Sequence, residues 1–232
     1  MSFWPTKEHW SVEIPVRTEH YLCPSLEKDG FVMLTPFAGD IPASEWEGLE
    51  YLDWKSGGDT NFAPLASADG ELDCRGFWDK GKPDKGASWT VNAAKAPSIR
   101  EYVDSTGANF GRVRTIKLEP QDHDTAFRSF HRDDNNRLNP AGEGWVIRMW
   151  LELTDAPDSY MLLMDLDEDR LPDPATERRV SLTRNARFVV DTQRLWHVVV
   201  HNADFPRYAL ITSVESTPDF ERWIQSQTPA LV

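Results

Sequence analysis

The segment WVIRMWLEL, Trp145 to Leu153, alternates so regularly that an extended chain can present it in only one way. Successive side chains of a strand point to opposite faces. One face carries Trp145, Ile147, Met149, Leu151 and Leu153; the other carries Val146, Arg148, Trp150 and Glu152. The first suits packing against helices, and the second, an Arg and a Glu beside a Trp, suits a polar cavity. The segment also stands in a series. From Gly111 the chain reads as GRVRTIKLE, TAFRSFH, WVIRMWLEL, SYMLLMDL, ARFVVD, LWHVVVH and RYALITSVES, each bounded by Pro, Asn, Asp or Gly clusters. Seven strands after a mixed N-terminal third predict a mainly β fold. The expected core is a double-stranded β-helix (jelly roll, cupin-like) with buttressing helices.

The remainder fits one domain over residues 1–232, with 1–110 a mixed α/β region with lid loops, 111–216 the β core and 217–232 a C-terminal helix. FVMLTPF, from Phe31, reads as a short buried strand. In PASEWEGLEYLDW, Ser44 with Glu47 three residues on predicts a helix start. Residues 56–85 are rich in Gly, Asp and Lys and read as a long loop region. APSIREYVDSTG has helical spacing, with Ile99, Tyr102 and Val103 on one side and Gly107 as a stop. TPDFERWIQSQ reads as a helix capped by Thr217, with Phe220, Trp223 and Ile224 as its apolar side.

Charge and cysteine usage narrow the class. A net charge of −13 disfavours nucleic acid and anionic membranes as partners, since both call for clustered Lys and Arg. DLDEDRLPD lacks the Gly and Glu spacing of a calcium loop and reads as a solvated loop. Cys23 and Cys74 form neither a disulfide framework nor a CxxC pair, and are expected to be reduced thiols. With no signal-like apolar run at the start and none of membrane-spanning length later, the expectation is a cytoplasmic protein.

In RSFHRDDNN, His131 and Asp133 sit two apart, on one face of an extended chain. With 38 acidic residues and six histidines in 232 positions, roughly one His-x-Asp/Glu arises by chance, so the pair needs company. His197 supplies it, inside an apolar strand where a buried imidazole calls for a partner. Arg207 follows ten residues later. Two histidines and a carboxylate from different strands of a β-barrel make the facial triad of non-haem Fe(II) oxygenases, which leaves coordination positions open for a 2-oxo acid and O2. A buried arginine matches the far carboxylate of 2-oxoglutarate.

FHRDD, WVIRMWLELTDAPDSYMLLMD and VVDTQRLWHVVVHNADFPRYALITSVE together resemble the aspartyl/asparaginyl β-hydroxylase and proline-hydroxylase group of 2-oxoglutarate oxygenases, over about Arg112 to Glu215. The resemblance implies Fe(II) held by His131, Asp133 and His197, with 2-oxoglutarate held by Arg207, O2 as oxidant, and Arg148 touching co-substrate or substrate. It further implies hydroxylation of an unactivated C–H bond of an amino acid or amino-acid-containing small molecule; a peptidyl Asp, Asn or Pro is the alternative. The presence of Asp133 favours hydroxylation over halogenation, which needs that position vacated for chloride. Trp150, Arg137, Asn136, Arg75 and Trp78 are candidate substrate contacts.

Other readings stand beside this one. His131 and Asp133 could form a polar turn, His197 could be a core histidine, and Arg207 could pair with Asp204. A cupin-type metal dioxygenase without 2-oxoglutarate would add His201 to the ligands and leave Arg207 without an anchoring role. A non-catalytic jelly-roll binding module would use its aromatic residues to stack a ligand. His123 reads as solvated, and His9 and His20 as lying outside the barrel.

Overall fold

Eleven strands and three α-helices were located in a computed structural model, which describes residues 23–53, 60–73, 75–140 and 142–228. In chain order they are β1 (Phe31–Leu34), β2 (Leu52–Asp53), β3 (Thr60–Ser67), β4 (Ser88–Trp89), α1 (Pro97–Asp104), β5 (Phe110–Leu118), α2 (His123–Phe127), β6 (Val146–Glu152), β7 (Ala156–Met164), β8 (Arg178–Leu182), β9 (Arg187–Val190), β10 (Trp196–Val200), β11 (Arg207–Glu215) and α3 (Pro218–Gln227). The expectations for Cys74, His9 and His20 fall outside the described residues.

Two antiparallel sheets face each other. The larger runs β1-β9-β6-β11-β5-β3-β2, with β4 also on β3; the smaller runs β10-β7-β8. This is the double-stranded β-helix that the strand series predicts. The two faces of β6 separate as their alternation demands. Trp145, Ile147, Met149, Leu151 and Leu153 join Ile99, Tyr102 and Val103 of α1 and Phe220 and Ile224 of α3 in the outer core. Trp150, on the opposite face, joins Phe188, Ile211, Ile116, Met161 and Leu163 between the sheets. Helix α3 begins as its sequence implies: the Thr217 hydroxyl accepts from the Phe220 N–H at 3.1 Å.

Three expectations are corrected, and one strand was not foreseen. TAFRSFH is not a strand, because the Asp122 carboxylate accepts from the Thr125 N–H at 2.7 Å and starts α2; the chain rejoins the small sheet only at His131. The helix expected at Ser44 is a single 3-10 turn, Ala43–Glu45. There the buried Glu45 caps α1 instead, accepting from the N–H of Ser98 at 2.8 Å and its hydroxyl at 2.7 Å. The supposed loop over 56–85 contains β3, a strand of the large sheet with six consecutive buried residues and therefore no alternation. Strand β8, with Arg at its first two positions, was not expected either.

Candidate metal centre

The small sheet brings the two histidines together. His131 pairs with His197 as an isolated antiparallel bridge, with N–H to C=O distances of 3.2 and 2.9 Å. Their rings lie 4.4 Å apart between centroids. Asp133 is fixed by its own N–H, which donates to the Thr192 carbonyl at 2.8 Å. One ligand atom from each of His131, Asp133 and His197 lies within 4.8 Å of the other two, which makes this a group able to hold a cation.

Hydrogen bonds on the far side of each ligand select the free atoms. His131 Nδ1 lies 2.6 Å from the Ser129 carbonyl, and His197 Nδ1 lies 3.3 Å from the Leu195 carbonyl. A carbonyl only accepts, so each Nδ1 carries a hydrogen, which leaves Nε2 as the nitrogen that can present a lone pair. The Asp133 carboxylate divides similarly. Its Oδ2 accepts from Thr192 Oγ1 at 2.7 Å, Arg148 Nε at 3.2 Å and Asn135 Nδ2 at 3.3 Å. Its Oδ1 faces His131 Nε2 at 3.6 Å. The donor set is thus two imidazole Nε2 atoms and one carboxylate oxygen.

Protonation differs between the two histidines. Burial, reinforced by the neighbouring His131, pushes His197 down to about 3, so it is a neutral imidazole. Burial pushes the Asp133 carboxyl up, but Arg148 and then the two histidines outweigh it and hold it well below the usual carboxylate range. Burial also draws His131 down, and Asp133 more than reverses this, leaving it above its ordinary value. The His131 side chain is 51% exposed and His197 only 5%, so the cluster opens to solvent on the His131 side.

Behind the ligands lies a buried polar cluster that sequence reasoning missed. Asp84 accepts from Arg112 Nε at 2.8 Å, Arg148 Nη1 at 3.3 Å and Ser213 Oγ at 2.9 Å. Burial pushes its carboxyl up, and Arg112 and Arg148 outweigh that and lower it. The loop carrying Asp84 lies so tightly on β5 that a Cβ at Gly111 would sit 2.0 Å from the Asp84 carbonyl oxygen. Gly111 was the only signal of that contact, and it does not name its partner.

The other expected site residues fare differently. Arg148 does not reach into open space. It is 1% exposed and spends its guanidinium on Asp133, Asp84, Ser213 and Asn135, so it positions the Asp133 carboxylate. Arg207 does not present an open fork: its Nε and Nη2 bind Glu152 at 2.9 and 2.5 Å, in a pair with side-chain exposures of 1% and 0%. The expected pairing of Arg207 with Asp204 is likewise replaced by Glu152. Asn136 is structural, bonded to both backbone groups around Val146 and to Gln193. Arg75 is exposed and paired with Asp73. Arg137 stacks over the Trp78 ring at 4.6 Å, and both are exposed. Trp150 is buried, stacked on Phe188. His201 is not a fourth ligand: Nδ1 meets Ser159 Oγ at 2.8 Å and Nε2 meets the Phe205 carbonyl at 2.6 Å, which pins the β10–β11 loop. His123 is exposed, stacked on Phe127.

No family model matches the chain, and no curated protein matches its sequence. Solved structures do match. The chain is similar to the non-haem α-ketoglutarate-dependent carbocyclase SnoK from nogalamycin biosynthesis, at 14% identity over 83% of this chain and 84% of that one, with a TM-score of 0.50. It is also similar to an oxidoreductase of the 2OG-Fe(II) oxygenase family from Burkholderia pseudomallei (14% identity, 84% and 88% covered, TM-score 0.49). A third is a prolyl hydroxylase from Trichoplax adhaerens (12% identity, 89% and 92% covered, TM-score 0.48). At 14% identity the likeness to the carbocyclase is one of fold. None of the helices among the described residues is long and apolar enough to cross a membrane.

Proposed function

We propose that this chain is an Fe(II)- and 2-oxoglutarate-dependent dioxygenase that hydroxylates an unactivated C–H bond of an amino acid or amino-acid-containing small molecule. The convergence of His131 Nε2, His197 Nε2 and Asp133 Oδ1 on one open-sided cluster carries the reading. Two imidazole nitrogens and an ionised carboxylate suit Fe(II) and leave room for further ligands; His131, held above its ordinary value by Asp133, would give up its proton to the arriving cation. Bound there, the iron would supply activation of O2 coupled to oxidative decarboxylation of the 2-oxo acid. The chain's own residues do the rest: Arg148, Thr192 and Asn135 fix the carboxylate, and Ser129 and Leu195 fix the imidazole tautomers. The orphaned indole N–H of the buried Trp150, between the sheets, is the kind of polar atom that a bound co-substrate satisfies.

Within the oxygenases we read the chain with the aspartyl/asparaginyl β-hydroxylase and proline-hydroxylase-like group, on the ten-residue interval from His197 to Arg207. The exposed Trp78–Arg137 stack beside Asp134 offers a flat cation to a carboxylate-bearing substrate. Cys23, a free buried thiol, suits a cytoplasmic setting. One observation favours a metal dioxygenase without 2-oxoglutarate, namely the engagement of Arg207 by Glu152. His201, tied to Ser159 and Phe205, weighs against that reading's four-ligand site.

The test is succinate formation from 2-oxoglutarate with Fe(II) and O2, run with free amino acids and short peptides screened by mass spectrometry for the gain of one oxygen atom. Wild type should release succinate and Asp133→Ala should not. Turnover by Asp133→Ala at the wild-type rate would refute the ligand assignment.

A further inference from the structure

The polar groups behind His131, Asp133 and His197 come from three strands and a loop. Arg112 lies on β5, Arg148 on β6 and Ser213 on β11, while the loop before β4 supplies Asp84. The Asp84 carboxylate, 3% exposed, is crowded with donors. Its Oδ1 accepts from the Arg112 N–H at 2.9 Å. Its Oδ2 accepts from Arg112 Nε at 2.8 Å, Arg148 Nη1 at 3.3 Å and Ser213 Oγ at 2.9 Å. Arg148 stands opposite Ser213 in the sheet register, which brings both to one oxygen.

Two paths lead from there to Asp133. Arg148 turns Nη1 to Asp84 and gives Nε to Asp133 Oδ2 at 3.2 Å. Arg112 Nη2 reaches Asn135 Oδ1 at 3.3 Å, and Asn135 Nδ2 donates to the same Asp133 oxygen, also at 3.3 Å. Two anions, Asp84 and Asp133, thus face two cations, Arg112 and Arg148. Without the Asp84 charge the balance fails. Burial and then the Arg112 charge already work against the charged form of Arg148. Both guanidinium charges would fall on Asp133, the one anion left among the four. A carboxylate drawn to two cations has less to offer a metal ion.

Granting the reading of Asp133 as a metal ligand, we infer that Asp84 is a positioning residue for the metal centre. Acting through Arg148, and by offsetting Arg112, it leaves the charge of Asp133 Oδ1 for the metal. The inference needs the metal centre and is indifferent to the co-substrate. Asp84 also belongs to a pinned loop. A Cβ at Gly111 would strike its carbonyl, and the Lys85 Nζ next to it binds Glu143, and Glu215 at 2.8 Å. Charge separates the two roles, because Asn in place of Asp84 keeps an oxygen for the Arg112 N–H and carries no charge.

Binding of Co(II) to the metal-free protein tests this without turnover. Calorimetry gives the affinity, the visible d–d bands report the donor set, and urea denaturation checks the fold of each variant. Wild type should bind one ion. Asp84→Asn should bind it roughly tenfold or more weakly, with altered bands. The double variant Asp84→Asn, Arg112→Met restores neutrality and should return to within about threefold of wild type. Arg112→Met alone removes a cation and should bind at least as tightly as wild type. Lys85→Met, which loosens the loop from outside, should leave affinity and bands unchanged. Wild-type affinity in Asp84→Asn, or a double variant weaker still, would overturn the inference with the metal centre intact. So would a tenfold loss in Lys85→Met or in Arg112→Met, and the latter decides the matter if Asp84→Asn does not fold. If wild type binds no Co(II), the metal centre falls and the role of Asp84 with it.

Discussion

Asp133 divides its labour between its two oxygens, and that division explains much of the residue-scale chemistry. Oδ2 is held by three donors, so Oδ1 is oriented before any cation arrives. Arg207 and Glu152 show a different use of buried charge, in which each ion exists to satisfy the other. Removing one leaves a lone charge in the core. Arg207→Met alone should therefore cost about 3–5 kcal/mol in urea denaturation, whereas Arg207→Met with Glu152→Leu should recover most of it. Additive losses in the double variant would show that the two do not act as a pair. Asp191 makes a third case. Burial pushes its carboxyl up to about 7, although the N–H groups of Arg194 and Gln193 and the Arg194 charge oppose this. Because the folded value is the raised one, its contribution to stability is complete below about pH 4 and is lost as pH rises towards 7. The loss amounts to roughly 1.4 kcal/mol per unit. Asp191→Asn should flatten the stability profile across that window, and an unchanged slope would contradict the assignment.

At the scale of elements, legibility followed how much of the information was local. The two faces of β6 could be read because one packs on helices and the other faces a lined interior, so the alternation survives in the residue types. The ends of α1 and α3 carry their own signals in Pro97 and in Thr217 with Pro218. Strand β3 could not be read in this way: most of it is buried on both faces, and Pro64 interrupts it. TAFRSFH has strand-like residues, but the Asp122 cap starts a helix just before them. The residues of the candidate cluster were legible as types and spacings, whereas Asp84 was not, because nothing in GKPDKG announces that its carboxylate will be buried beneath Arg112 and Arg148. The partners of Arg148 and Arg207 were likewise invisible, being set by sheet register. Because α3 packs on the outer core and not between the sheets, Phe220→Ala should cost about 3–5 kcal/mol in denaturation yet leave metal affinity unchanged. A matching loss of affinity would mean that the outer core shapes the site.

Over the whole molecule, the large sheet is a wall with two uses. Its outer side anchors the helices, and its inner side, with the small sheet, encloses a second apolar core and buried ion pairs beside the open candidate cluster. The account rests on that cluster gripping one cation per chain. Anaerobic calorimetric titration of Fe(II) into wild type, Asp133→Ala and His197→Ala measures this directly. One ion per chain should bind wild type, and binding should be lost or weakened by orders of magnitude in both variants. No binding to wild type, or binding undiminished in variants that remain folded, would contradict it.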